Sequence, residues 1–472
     1  MKQIFLVSTF FELVCLAAGI DSGVYDTRVP PAVLRTPGEP PEREALDVSE
    51  RILLVSNNAL VVEQATPLVD TPGAAALLTR FDRTLDLNAL INPHHPSSWS
   101  PADSDLPMLQ RLIRGTWDLG EGEVELIIES PQVNPAIALS RVFSDALIRV
   151  HSDGLMSYGP SRSRIPLTMG QRLTELIYLP LVEGLRPLLL REFDIHPQSL
   201  PAHTFTDVVA ELVGVLDAEV GALLGDVDGA DTAFAVGQYL SALGLVTFEE
   251  EERLHLDMIE RAAEAGCTAV VFKPHPAAPH SARAVLQAAA DEHGITLRII
   301  DSPIIAEVFL HRLAPRLVIG AFSTALATAR AIYAFPTATV GTELLLERIA
   351  PYQNSNRVPL TIVDRLSRTG AVPLAPAEVD RLQALVEAVA YCMQPTIASD
   401  LRPTAQNVLA VYAGTPEMRY FKKRRLMKLA LPGGLQPTRN PRTIAKRLSG
   451  VGYRLAKYRF ERSDRGRRTL RR

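Results

Sequence analysis

Gln3-Ile4-Phe5-Leu6-Val7-Ser8-Thr9 decides how the chain begins and, with it, the fold. The stretch is β-branched and aromatic, as in a strand buried within a parallel sheet. Ser8 and Thr9 carry hydroxyls suited to capping a helix, and Phe10 to Ile20 reads as that helix. The competing reading of the first residues is a secretory signal. A signal needs a basic leader and an unbroken apolar core. Here only Lys2 precedes the apolar run, Glu12 interrupts it and Asp21 follows soon after. The pattern therefore predicts the first β-α unit of an α/β domain. No other stretch of about 20 uncharged apolar residues occurs, so no membrane-spanning helix is expected.

Outward from this unit, short apolar strands alternate with helical patterns. Ile52-Leu53-Leu54-Val55, Val124 to Ile128 and Leu147-Ile148-Arg149-Val150 read as strands, with helices over Pro107–Trp117 and Pro135–Val142. A second series follows the acidic, Gly-rich segment Gly225 to Asp231. Its strands are Ala233 to Val236, Thr268 to Phe272, Ile295 to Ile300 and Leu317 to Ile319. Its helices are Glu250–Ala265, Ala282–Glu292 and Pro303–His311. Such alternation marks parallel sheets with crossover helices. The expected architecture is two doubly wound, Rossmann-like α/β domains facing a central cleft, residues 1–225 and 226–415, followed by a basic tail, 416–472.

The 472 residues, 47% hydrophobic and 22% charged, exclude a mainly disordered, collagen-like or coiled-coil chain. Cys15, Cys267 and Cys392 lie far apart and match neither a zinc spacing nor a disulfide framework, which points to a reducing compartment. The net charge of −4 hides an asymmetry: from Met418 onward there are 19 Lys and Arg against 2 Asp and Glu. An acidic body thus carries a basic tail, which suits a polyanion such as an anionic membrane surface. Within the tail Ile444, Leu448, Val451, Leu455 and Tyr458 recur at helical spacing between basic residues. That pattern fits an amphipathic helix on a membrane surface, although Gly450 and Gly452 weaken it.

In open α/β sheets ligands bind at the carboxyl ends of strands. Three strings there could carry chemistry. Lys273-Pro274-His275-Pro276 follows a strand, and its prolines hold His275 on a rigid exit from the sheet. A histidine so placed can neutralise a phosphate or protonate a leaving group. Ser152-Asp153-Gly154 can place a carboxylate as general base, with Gly154 allowing close approach to the backbone; it also fits a plain turn. Gly320-Ala321-Phe322-Ser323-Thr324 puts hydroxyls at a helix start, where an anion site and an N-cap are compatible. Glu307 lies early in the preceding helix, within reach of ribose hydroxyls or simply solvated. His95-Pro96 and His196-Pro197 follow no convincing strand and read as turns.

The chain has no GxGxxG, no P-loop and no GxSxG. Its two DxD strings, at Asp103 and Asp226, sit in loop contexts, so no metal is expected.

Taken together, Asp-Gly in the first series, Lys-Pro-His-Pro in the second and Ser-Thr 48 residues after His275 resemble the bacterial sialyltransferases of GT-B fold. Glu129-Ser130-Pro131-Gln132-Val133-Asn134-Pro135, Asp153 to Gly159 and Gly237-Gln238-Tyr239-Leu240 resemble most the alpha-2,8-polysialyltransferase family. The resemblance spans roughly residues 1–415. It implies an inverting, metal-independent transferase without a cofactor, moving sialic acid or a related acid sugar from a CMP donor to a glycan acceptor of a capsule or surface polysaccharide. It implies Asp153 as base and His275 at the departing phosphate. Ser323 and Thr324 would hold that phosphate, with Lys273 and Glu307 near the cytidine and Gly154 and Asn134 among the substrate-binding residues. The family's motif has two acids before the glycine, whereas here Ser152 occupies the first position, leaving Asp153 alone. A cytoplasmic protein, peripheral on the inner face of the membrane and not binding nucleic acid, is expected. Two alternatives are a CDP-glycerol-type glycerophosphotransferase, which shares the His-Pro turn, and a non-catalytic polyanion binder.

Overall fold

A computed structural model describes residues 1–35, 41–59, 66–275, 283–370 and 373–435. Pro276 and the amphipathic pattern of the tail lie outside the described residues.

The first half forms a seven-stranded parallel sheet. Its strands are β1 (Lys2–Val7), β4 (Glu50–Val55), β5 (Arg83–Asp86), β6 (Val124–Ile128), β7 (Leu147–Ser152), β8 (Leu173–Tyr178) and β9 (His196–Ser199). β2 (Thr27–Arg28) and β3 (Glu44–Ala45) form a separate antiparallel pair. The large sheet runs in the order β5-β4-β1-β6-β7-β8-β9. The second sheet, β10 (Thr232–Val236), β11 (Ala269–Lys273), β12 (Thr296–Ile299), β13 (Leu317–Gly320) and β14 (Thr337–Thr339), runs β12-β11-β10-β13-β14, all parallel. These are two Rossmann-like units in a GT-B-like arrangement. Strand order reverses between β1 and β6 in one sheet and between β10 and β13 in the other. Crevices open at such switch points.

The opening residues form a strand and a capped helix. Thr9 Oγ1 accepts from the Glu12 backbone N–H, and the Glu12 carboxylate accepts from the Thr9 N–H, a reciprocal capping box for the helix Phe10–Asp21. Glu12, read as a break in the apolar run, is therefore what starts the helix.

β1 alternates between two cores. Ile4 and Leu6 join Trp99, Trp117 and Phe143 on one face of the sheet. Phe5 and Val7 face the helix Phe10–Asp21 on the other. That second core continues through the helix Ala202–Leu224 into β10 and β13, so the halves share buried apolar packing. Toward the amino ends of the strands the same face carries a buried ionic network. Arg149 on β7 pairs with Glu125 on β6 at 2.9 Å, and both side chains are fully buried.

Two expectations need correction. His196-Pro197 is not a turn but the start of β9, an edge strand, where a proline can forgo its ladder bond. The basic segment does not separate at residue 416. Tyr420, Phe421, Leu426 and Leu431 are buried, and Tyr420 Oη donates to Asp364 Oδ2 at 2.7 Å. Tyr420 thereby ties this stretch to the helix Arg357–Thr369.

After β14 the chain returns toward the first half. In the helix Pro376–Met393, Gln383 Oε1 accepts from the Arg186 N–H at 2.8 Å. Further on, Asp400 pairs with Arg191 at 2.6 Å. Among the described residues no helix is long and apolar enough to cross a membrane.

Candidate active site

The site is built from strand ends. β7 carries Arg149, His151 and, just beyond its end, Asp153 at alternate positions, so all three belong to the face covered by the helix Phe10–Asp21. Glu129, one residue past β6, lies on the same face, and Glu12 reaches it from the helix. Glu12 is only 2% exposed. Its Oε2 accepts from the Ser8 N–H at 2.6 Å and the Thr9 N–H at 3.1 Å. Burial first, then Glu129 and Asp153, push the Glu12 carboxyl well above the usual range, and a hydrogen bond links it to Glu129.

Asp153 sits partly exposed on this floor. Burial among protein atoms raises its carboxyl to about 7, with the charges of Glu129 and Glu307 adding to the shift. A carboxylate poised there is a stronger base than an ordinary aspartate. His151, 3% exposed, offers Nε2 to the Leu6 carbonyl at 3.4 Å, while its buried Nδ1 has no hydrogen-bond partner among the described residues.

Beside this floor, at the first switch point, lies a small, partly open pocket of about 40 Å³. Ser56, Asn58, Glu129, Ser130 and Asn134 line it together with Glu12. Asn134 therefore belongs to the pocket beside Asp153.

The second half contributes the opposite wall. Ser323 caps the helix Thr324–Ala331, its Oγ accepting from the Ala325 N–H at 3.2 Å. The N–H of Phe322 donates to Gln238 Oε1 at 2.8 Å, joining the ends of β10 and β13 across the second switch point. A Cβ on Gly154 would stand 3.4 Å from Thr324 Oγ1. The Asp153 turn and the Ser323–Thr324 helix start thus meet across the cleft.

Glu307 is brought to the same place but is 4% exposed, and its Oε1 accepts from Thr328 Oγ1 at 2.9 Å. Burial raises its carboxyl, with the Thr328 hydroxyl and Lys273 pulling the other way. Lys273 is buried too. Its Nζ donates to the Ser302 carbonyl at 2.8 Å and lies 5.8 Å from the centre of the Phe309 ring. Desolvation lowers its ammonium to about 8 against the opposing pull of Glu307 and Asp301. Lys273 therefore fixes the loop after β12 and lies within electrostatic reach of Glu307.

His275 stands at the exit of β11. Its approach is shaped by Gly237, whose N–H donates to the Lys273 carbonyl at 2.9 Å and where a Cβ would come within 3.1 Å of Pro274 Cα. Desolvation lowers the His275 imidazole below its ordinary range, with Glu251 opposing and Lys273 assisting. Glu251 itself holds the Gly237–Leu240 loop, accepting from the N–H groups of Leu240 and Ser241. His275 thus stands with Glu251 and Lys273 at the end of β11, one strand away from the end of β13 that leads into Ser323 and Thr324.

Sequence reading assigned no role to Glu12, Gln238 or Glu251, nor to Glu129 within its quoted stretch. For Glu12 a signal existed, because Thr9-x-x-Glu12 is the capping-box spacing. The other three act on residues distant in sequence or through loop backbone, which no spacing reports.

The alpha-2,8-polysialyltransferase family model matches residues 3–342. The chain belongs to this family. It is accordingly a sialyltransferase-like glycosyltransferase, with a sugar-nucleotide donor and a glycan acceptor. No curated protein matches the chain in sequence. Among solved structures, the GT-B domain of a sialyltransferase from Photobacterium damselae is similar at 14% identity, covering 77% of this chain and 96% of that one, with a TM-score of 0.40. A UDP-GlcNAc 2-epimerase from Neisseria meningitidis is similar at 12% identity over 86% and 100%, TM-score 0.42. One from Methanocaldococcus jannaschii is similar at 13% over 72% and 84%, TM-score 0.40. Likeness at this level leaves the architecture resting on the strand order and register described above.

Proposed function

We propose that this transferase moves sialic acid, or a related CMP-linked acid sugar, from its CMP donor to a hydroxyl of a capsule or surface glycan, inverting the anomeric carbon without a metal. The observation that carries the reading is the approach of the Asp153–Gly154 turn to Thr324. In this reading Asp153 as base and the anion-suited helix start stand on the two walls of one cleft.

In this reading the donor phosphate lies at the helix start, where the Ser323 and Thr324 hydroxyls and backbone N–H groups meet negative charge. The acceptor O–H loses its proton to Asp153. The acceptor oxygen bonds to the anomeric carbon as the bond to the phosphate oxygen breaks, and that electron pair leaves with CMP. His275, neutral at physiological pH, donates a hydrogen bond to the departing phosphate. Preorganised donors aimed at developing charge stabilise the transition state. Glu307 and Lys273 form the base of the nucleoside side.

The basic segment beyond residue 435, continuing the charges of Lys422 to Lys428, suits a peripheral contact with anionic lipid that weakens as salt rises.

A thermal-shift panel tests the donor. CMP and CMP-sialic acid should raise the melting temperature while UDP-sugars do not, because a ligand of the native state stabilises by mass action. A larger shift with CDP-glycerol would overturn the sialyl reading in favour of a glycerophosphotransferase. Turnover should survive a chelator such as EDTA; its loss would refute metal independence.

A further inference from the structure

We propose that the arginine-lined pocket between the helix Arg357–Thr369 and the stretch Pro416–Tyr420 seats the phosphate of an anionic lipid headgroup. This rests on the peripheral membrane contact proposed above and moves its specific part from the tail to the folded body.

The pocket is a cavity of about 430 Å³ open to solvent, lined by Arg365, Arg368, Pro416, Glu417, Arg419 and Tyr420. Its arginines are held in place. Arg368 donates to the buried Asp364 carboxylate through Nε at 3.0 Å and Nη2 at 3.1 Å. Thr342 Oγ1 and Tyr420 Oη fix that carboxylate in turn, at 2.6 Å and 2.7 Å. Arg365 Nη2 donates to Glu378 at 2.9 Å. Arg419 donates through Nε to the Pro416 carbonyl at 3.0 Å and through Nη1 to Glu343 at 3.4 Å. A guanidinium carries its N–H donors in a fixed fork. Nε and Nη1 of Arg365, Nη1 of Arg368 and Nη2 of Arg419 have no partner among the described residues. Forks already anchored by ion pairs lose little further freedom on binding, and their spare donors match phosphate oxygens.

The lining disfavours other polyanions. It holds no Asn, Gln, Ser or Thr to read the hydroxyls of a glycan. Its single aromatic ring, Tyr420, is 1% exposed and gives a nucleobase no face to stack on. Glu417 is the one acid in the lining, and Arg365 and Arg419 lie within electrostatic reach of it. It can accept from a headgroup hydroxyl, which favours phosphoglycerol. The surroundings fit a membrane. From Met418 to Leu435 there are six Lys and Arg and no acid, and residues 436–472 add 13 Lys and Arg against 2 Asp and Glu. Lys423, Arg424 and Lys428 on the helix Lys423–Lys428 are exposed. An extended anionic surface meets these charges and the pocket together, and each adds to the attraction. A soluble phosphate meets the pocket alone.

The test uses the full chain and phosphatidylcholine vesicles with or without phosphatidylglycerol. Two charge-matched double variants are compared, Arg365→Gln with Arg419→Gln in the pocket and Lys423→Gln with Arg424→Gln outside it. The readouts are vesicle affinity by cosedimentation, with free glycerol phosphate as competitor, and melting temperature. The full chain should bind the phosphatidylglycerol vesicles. The pocket pair should bind them about tenfold more weakly than the outside pair, because donors in a cavity are screened less than exposed ones. At matched ionic strength, excess glycerol phosphate should bring the full chain down to the pocket pair's affinity and leave the pocket pair unmoved. If the pocket pair melts lower, Arg419→Gln alone, whose partner Glu343 is exposed, carries the same comparison against Lys423→Gln. Equal losses in the two pairs would reduce the contact to bulk charge and overturn the proposal. So would a pocket pair that loses glycerol phosphate, or oligosialic acid, while keeping its vesicle affinity; the pocket would then serve a soluble phosphate or a glycan. A full chain that binds no anionic vesicle removes the peripheral contact itself, and both readings fall.

Discussion

At the scale of single residues, Asp153 carries opposed demands. Its carboxyl is held near 7, above the roughly 4 of an unfolded aspartate. Between those values the folded chain binds the proton more tightly, so folding stability falls as pH rises from about 4 to about 7. The same shift makes Asp153 an effective base. Asp153→Asn should therefore abolish transfer while raising the melting temperature, more at pH 8 than at pH 5. Calorimetry at the two pH values beside an activity assay checks this; full activity, or a lower melting temperature at pH 8, contradicts it. Asp153, Ser323 and Thr324 were legible in the sequence because glycine and hydroxyls punctuate strand ends. The Glu12–Glu129 pair was not. Its members sit on different elements, and only the stacking of the helix Phe10–Asp21 on the sheet brings them together.

At the scale of elements, the helix Thr324–Ala331 depends on its cap. Ser323→Ala removes the bond to the Ala325 N–H and should cost about 1 kcal/mol of stability. It also removes a hydroxyl from the proposed phosphate site, so CMP affinity, read by calorimetry, should fall about tenfold, the worth of one charge-assisted bond. Unchanged affinity would show that the cap alone explains Ser323. Most central strands were readable as apolar runs, and β7 was found together with Asp153 just beyond its end. The edge strands β5 and β9 escaped because one face of each meets solvent: Arg83-Thr84-Leu85-Asp86 and His196-Pro197-Gln198-Ser199 alternate between half-buried and exposed. Such composition is indistinguishable from a loop until a neighbour strand pairs with it.

At the scale of the whole molecule, charge misplaced the end of the folded body. Lysines and arginines after Met418 suggested a solvated tail, yet Tyr420 and Leu426 are almost fully buried. A chain ending at residue 435 should keep its melting temperature and its response to CMP. A chain ending at residue 415 should lose several kcal/mol, since each buried aromatic or leucine contributes about 1.5–3 kcal/mol. Denaturant melts of both truncations decide it; equal stability would return the segment to the tail. The backbone passes between the halves twice, once as the helix Ala202–Leu224 runs into β10 and again as the helices Arg357–Thr369 and Pro376–Met393 return to Arg186. A body fastened at one point swivels freely, but one fastened at two turns only about the line joining them, like a door on a pair of hinges. The two crossings thus fix the width of the cleft, and the gap between Gly154 and Thr324 is its natural gauge.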